Sequence, residues 1–292
     1  LKLSSFLVEE HIEVVSILSQ EMPSSVVAGV EVVAIPGLTI TEFFGNVATK
    51  DASLSAVHEK ITEPSMSNPW RCPEFAEYIF MIEGEAHVEH NAGKVVVQAG
   101  AGVYLPAGCR VRVNLPGPAE HIAICLPAFS PDTEHRQEGE SAPPPAHATD
   151  TAPTLVAAVD VVKAPALTIT EFFGNVANKD SKLSACVAKV DEPCSEAWQK
   201  PEFAEWVLVL KGTLHLEHAD GITKVPAGSG VFLAANERVK WVWPEPCMYV
   251  PICMPAFTPD GCHREAEEGS AKDVDPQTMA NLHMLHAKAE GA

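Results

Sequence analysis

The chain is written twice. Leu38 to Ala48 (LTITEFFGNVA) recurs letter for letter at Leu167 to Ala177, an offset of 129, and eleven consecutive identities do not arise by chance. The match continues through Lys50-Asp51 with Lys179-Asp180, Pro73 to Glu77 (PEFAE) with Pro201 to Glu205, and Pro127 to Phe129 with Pro255 to Phe257. One residue is lost ahead of Trp198, so the later offset is 128. The repeat covers Val30 to Arg136 and Val159 to Arg264. A unit this long is no solenoid repeat; it describes two copies of one small domain.

Inside the first copy the signals are short β-type runs broken by Gly and Pro: Leu38 to Phe44, Leu54 to Ile61, Glu77 to Ile82, Ala86 to His90, Lys94 to Gln98, Val103 to Leu105, Val111 to Asn114 and His121 to Cys125. Many short strands in so few residues imply an antiparallel sandwich or barrel rather than a parallel α/β sheet. Between the copies, GESAPPPAHATDTAPT reads as an exposed, semi-rigid linker. Ser5 to Met22 carries a loose helical pattern ended by Pro23; after the second copy, Asp275-Pro276 starts a helix with Met279, Leu282 and Leu285 or His286 in one stripe. Both helices are expected to pack on the barrels. The division is therefore an N-terminal helical extension over 1–29, a barrel over 30–138, a Pro/Ala-rich linker over 139–154, a second barrel over 155–264 and a C-terminal helix over 265–292.

Twenty Lys and Arg against 39 Asp and Glu leave a formal charge of −19. That field repels phosphate backbones and anionic headgroups, which sets nucleic-acid binding and polybasic membrane attachment aside. No apolar run is long enough to span a bilayer. The eight cysteines form no Cys-x-x-Cys pair and no dense framework, so reduced thiols in an intracellular compartment, cytoplasm or organelle interior such as a plastid, are expected. Leu1 in place of Met is read as a processed or partial product.

At Glu77 to Gly84 (EYIFMIEG) and Glu205 to Gly212 (EWVLVLKG) the sequence resembles the first signature of the cupin family, a metal-ligand Glu followed after six residues by Gly. Gly100, Pro106, Gly108 and Asn114 resemble the second signature, of which the second copy keeps Gly228 but has Ala234, Asn236 and Val242 elsewhere. The resemblance implies a bicupin: all-β, two tandem jelly-roll barrels with short N- and C-terminal helices. Cupin enzymes hold Fe, Mn, Ni or Zn through three His and the Glu. Here the first two His positions carry Trp70 and Cys72, or Trp198 and Lys200, and the third carries Val111 or Val239; a three-residue spacing gives Arg71 and Pro73, or Gln199 and Pro201. No cofactor is thus expected from the usual motif.

Taking Glu83-Gly84 as a two-residue hairpin turn puts Glu77 opposite His90, and Lys211-Gly212 puts Glu205 opposite His218. Alternation places Glu77, Ile79, Met81, Ala86, Val88 and His90 on one mainly apolar, barrel-lining face, with Glu205 to His218 arranged alike. Each Glu–His pair, helped by Glu74 or Glu202, is open to three readings: a structural hydrogen bond, a weak divalent-metal site, or an acid–base couple. Trp70 and Trp198 either fill the barrel mouths or stack on a flat ligand. His87, Glu89, His215 and Glu217 lie on the other face, at the outer surface or between the barrels; Cys125 and Cys253 are buried thiols; Lys200 is a surface lysine or an amine in a desolvated cup; and His135-Arg136 and His263-Arg264 cap the last strands.

The function expected is that of a small-molecule-binding or accessory protein, open to homodimer formation or membership of a larger assembly. The alternative is a cupin-type lyase, isomerase or oxygenase on a small organic metabolite, using Glu77/His90 and Glu205/His218. Because the first copy keeps more of the second signature, a ligand is expected in the first barrel.

Overall fold

The computed structural model describes residues 25–66, 68–137, 139, 143–265 and 276–290; the helix expected over Ser5 to Met22 lies outside them. Strand β1 (Val26–Ala28) precedes the first repeat, which forms β2 (Val30–Ile35), β3 (Leu38–Phe44), β4 (Ser55–Ile61), β5 (Ala76–Glu83), β6 (Glu85–His90), β7 (Gly93–Gln98), β8 (Ala101–Leu105), β9 (Val111–Asn114), β10 (Ala119–Leu126) and the single-turn helix α1 (Pro131–Glu134). Strand β11 (Thr154–Ala157) leads into β12 (Val159–Lys163), β13 (Leu167–Phe173), β14 (Ser184–Val190), β15 (Cys194–Ser195), β16 (Ala204–Lys211), β17 (Thr213–His218), β18 (Gly221–Pro226), β19 (Ser229–Leu233), β20 (Lys240–Trp243) and β21 (Cys247–Met254). Helix α2 (Pro276–Glu290) follows.

Each repeat is a two-sheet antiparallel jelly roll, the all-β architecture that the strand pattern implies. The large sheets run β11-β8-β5-β10-β4-β3-β2 and β1-β19-β16-β21-β14-β13-β12; the small ones run β7-β6-β9 and β15-β20-β17-β18. The hydrogen bonding adds an exchange to the division drawn from the repeat. β1, ahead of the first repeat, pairs with β19 of the second barrel, and β11, ahead of the second, pairs with β8 of the first. Each barrel thus lends a strand to its twin's sheet edge, which would otherwise present unpaired N–H and C=O groups.

The alternation along β5 and β16 explains their unbroken apolar runs. Ile79 and Met81 point into the first barrel and Val207 and Val209 into the second, while Tyr78, Phe80, Trp206 and Leu208 join a core shared by the two large sheets. Phe80 stacks on Phe172 at 4.6 Å there. Gly102 and Gly230 make this contact close: a Cβ on either would lie 2.7 Å from Phe173 Cζ or 2.8 Å from Phe44 Cζ of the opposite repeat.

The eleven-residue identity has a local cause. The buried carboxylate Oε1 of Glu42 accepts from the amides of Val47 and Ala48 at 2.7 Å each, and that of Glu171 from Val176 at 2.8 Å and Ala177 at 2.7 Å. The motif is thus a strand, a Glu that ties down the loop after it, and two Phe for the interface. Leu282 of α2 is buried in the second barrel's core, with Met279 and Leu285 packed against it, so the expected apolar stripe seats this helix on the barrel.

Candidate functional site

The structure does not form the pairs Glu77–His90 and Glu205–His218. β5 hydrogen-bonds to β8 and β10, placing Glu77 across from Leu105 and Cys125, while His90 on β6 faces Gly93 and Val111. Likewise Glu205 faces Leu233 and Cys253, and His218 faces Gly221. The reason lies at Gly84 and Gly212. With φ of 76° and 73° they carry the chain around the barrel corner from large sheet to small sheet, rather than closing a hairpin. The interior alternation survives this turn; the cross-strand register does not.

In the first barrel, Arg71 Nη2 lies 2.6 Å from Glu77 Oε2, both side chains largely buried. Arg71 faces inward because its backbone pairs with Val111, whose side chain lines the core. Trp70, its neighbour, turns outward beneath the guanidinium groups of Arg110 and Arg112, at 4.1 and 4.9 Å from the ring. Trp198 is covered in the same way by Arg238 at 3.9 Å. Both indoles are half-buried, and neither belongs to a barrel core. Deeper in the first cup, His121 Nε2 stands 3.5 Å from Glu59 Oε2, a pair that the sequence reading passed over.

The second cup is different. Gln199 replaces Arg71, and Glu205 has no cation within ion-pair distance among the described residues; its Oε1 lies 3.7 Å from the Cys253 thiol, which donates to it. Burial pushes the Glu205 carboxyl up to about 8, against the lowering effect of that thiol. It is therefore mostly neutral at pH 7. Gln199 Oε1 accepts from the Cys262 thiol at 2.6 Å, and Arg264 pairs with buried Glu196 at 3.0 Å. Burial holds the Cys186 and Cys253 thiols well above their ordinary range, so they are not nucleophiles. A cavity of about 80 Å³ is lined by Glu205, Gln199, Trp241, Tyr249, Arg264 and Leu282, among others. The Trp241 Nε1–H is buried with no hydrogen-bond partner among the described residues.

The remaining predicted residues have other partners. Glu74 is exposed and accepts from His135 Nε2 at 2.6 Å; Glu202 and His263 repeat the pair at 2.7 Å. A duplicated Glu–His couple thus exists, with other members than those expected. His90 accepts from the Ala92 amide through Nδ1 at 3.4 Å, and His218 Nδ1 lies 3.1 Å from Glu237. Lys200 is exposed and Cys125 buried, as read from the sequence.

Superposed on solved structures, the chain is similar to oxalate decarboxylase from Bacillus subtilis. One structure, on the substrate binding mode and a reaction specificity switch in oxalate decarboxylase, matches at a TM-score of 0.63 and 12% identity, over 88% of this chain and 85% of that one. Another, at pH 4.6, gives 0.60 and 13% over 85% and 79%. The chain folds as a bicupin. At this identity the likeness concerns the fold alone. Among curated proteins the bicupin is similar to the Endoribonuclease YbeY of Myxococcus xanthus (strain DK1622), 30% identical over 103 residues, 35% of either chain. It spans roughly a third of that relative. No protein-family model matches it, and among the described residues no helix is long and apolar enough to cross a membrane.

One of the related structures concerns Mn(II) centres, and the bicupin's cups do not fit such an ion. In the first, a guanidinium already stands against Glu77; in the second, Glu205 is mostly protonated and its neighbours are a thiol and an amide. Mn(II) calls for several hard oxygen or imidazole ligands. Among the described residues, neither Glu belongs to a trio of His, Cys, Asp or Glu ligand atoms within 4.8 Å of one another.

Proposed function

We propose that this bicupin binds a small organic molecule bearing a carbonyl or carboxylic-acid oxygen in its second barrel, between the neutral carboxyl of Glu205 and the indole N–H of Trp241. The observation that carries this reading is the cavity of about 80 Å³ onto which both residues border, one a buried acid and the other a buried donor without a partner. An unmet buried donor costs about 1–3 kcal/mol, which an acceptor oxygen on a ligand recovers. At about 30 Å³ per water, the space holds about two to three waters, which limits the ligand to a few heavy atoms. The solved structures that share the fold are named for oxalate, a small acid of this kind. The first cup is the poorer candidate, since its Glu77 is already matched by Arg71. The expectation of a ligand there gives way to the second barrel, and the accessory-subunit reading gains no support from the fold or the comparisons.

Saturation-transfer NMR with acetamide, acetic and glycolic acids, with oxalic acid read by its competition against them, tests the proposal. At least one binds the native chain, and Trp241→Phe weakens it about fivefold, the worth of one neutral hydrogen bond. Binding by none, or binding indifferent to Trp241→Phe, overturns it.

A second reading is enzymatic, and the neutral Glu205 carboxyl favours it: an acid with a pKa near 8 beside a bound carbonyl can donate a proton at neutral pH. Proton NMR of the incubated panel tests for turnover, which this reading expects to vanish in Glu205→Gln.

A further inference from the structure

Outside both cups, three ligand-bearing side chains converge where the linker crosses the first barrel. One ligand atom each from Glu74, His135 and His147 lies within 4.8 Å of the other two. Each is held by a separate piece of backbone. Glu74 precedes β5, and its amide donates to Thr133 O at 2.9 Å. His135 ends α1 in the left-handed region, φ 51°, which aims its ring back at Glu74. His147 sits in the linker, fixed on either side by Ala148 N to Pro145 O at 3.0 Å and Thr149 N to Gly108 O at 2.8 Å. The rings of His135 and His147 are 4.6 Å apart.

We propose that these three residues form a site for a divalent cation of the zinc type, one that fastens the linker to the first barrel. Two imidazoles and a carboxylate are a ligand set that zinc accepts, with a fourth position left to water. The hydrogen bonding around His147 leaves one ring nitrogen available to a metal. Its Nε2 lies 2.7 Å from the carbonyl of Cys72, which can only accept, so Nε2 carries the proton. In the neutral ring the lone pair is then on Nδ1, and metal-bound imidazoles commonly donate their other N–H to such a carbonyl. Zinc bonds of about 2.0–2.1 Å place ligand atoms roughly 3.4 Å apart, so His147 draws in while the 2.6 Å Glu74–His135 contact opens, both side-chain adjustments.

The duplication supplies a built-in control. The second barrel repeats the Glu–His pair as Glu202 and His263, with His263 again left-handed at φ 47°. His147 lies in the linker, outside the repeat, so the second pair is offered no third ligand of this origin. Among the described residues the site therefore belongs to the first barrel alone. Its consequence is mechanical: β11, the strand lent to the first barrel's sheet, begins seven residues after His147, and a cation there anchors the approach to it.

The test uses the untagged full chain, stripped with chelator and titrated with Zn²⁺ against a chromophoric competitor, with Co²⁺ as a spectroscopic stand-in. The expected result is one equivalent bound more tightly than about 0.1 mM, a binding free energy more favourable than about −5.5 kcal/mol. His147→Ala weakens this at least tenfold and removes the accompanying rise in Tm, whereas the double change Glu202→Gln with His263→Ala leaves both as they were. Should His147→Ala lower Tm in chelator, Glu74→Gln, at an exposed position, serves in its place. Binding weaker than 0.1 mM by native protein, or binding unaffected by the His147 or Glu74 change, overturns the proposal.

Discussion

Replacing Glu205 with Gln removes the acid while keeping its shape, and the buried environment gives the change a definite pH signature. With a folded pKa of about 8 against an ordinary 4.5, Glu205 takes up a proton on folding wherever the unfolded chain is ionised. Stability therefore falls as pH climbs from 4.5 to 8, and below 4.5, where both states are protonated, this cost vanishes. Between pH 5 and pH 8 the native protein should lose about 3 kcal/mol relative to Glu205→Gln, at about 1.4 kcal/mol per pH unit and levelling off near the folded pKa. For a chain of 292 residues unfolding as one unit, that is a relative shift of about 5 °C in Tm. Urea denaturation of both proteins at pH 5, 6, 7 and 8 measures it directly. A stability difference that does not change with pH, or one that shifts in the native protein's favour as pH rises, refutes the claim that this carboxyl is held neutral by burial.

Three further outcomes follow from packing and charge. Arg71→Met leaves Glu77 buried without its 2.6 Å partner and should cost about 3–5 kcal/mol in chemical denaturation, much of it recovered by adding Glu77→Met. Gly230→Ala puts a Cβ 2.8 Å from Phe44 Cζ and should cost about 1–3 kcal/mol, read as a lowered Tm without loss of secondary structure. Leu282→Ala removes the side chain that α2 buries in the second barrel; a loss of about 2–5 kcal/mol is expected, with faster hydrogen exchange along β12, on which α2 packs.

Much of this architecture is legible in the residues. The duplication defines two barrels, the period-2 pattern separates Ile79 and Met81 from Tyr78 and Phe80, and the stripe on α2 is the one that packs. The site was harder to read, because position within a strand says which way a side chain points but not which strand lies beside it. Gly84 looks like a hairpin turn and is a barrel corner, so the partner assigned to Glu77 was wrong while its inward direction was right. The strand exchange of β1 and β11 depends on contacts between repeats, which no local pattern encodes. One signal was present and unused: Glu74 to His135 and Glu202 to His263 are separated by the same 61 residues, and a spacing kept in both copies is what a paired contact leaves behind. His147 could not be found that way, since it has no counterpart.

The account rests on the second cup as the place where a small oxygen-bearing molecule binds. A crystal structure of the chain soaked with the acid or amide that binds best in solution tests this most directly. The account predicts density in the second barrel with an oxygen within hydrogen-bond distance of Trp241 Nε1 and of the Glu205 carboxyl. Density in the first barrel beside Arg71 and Glu77, with the second cup unchanged, would contradict it.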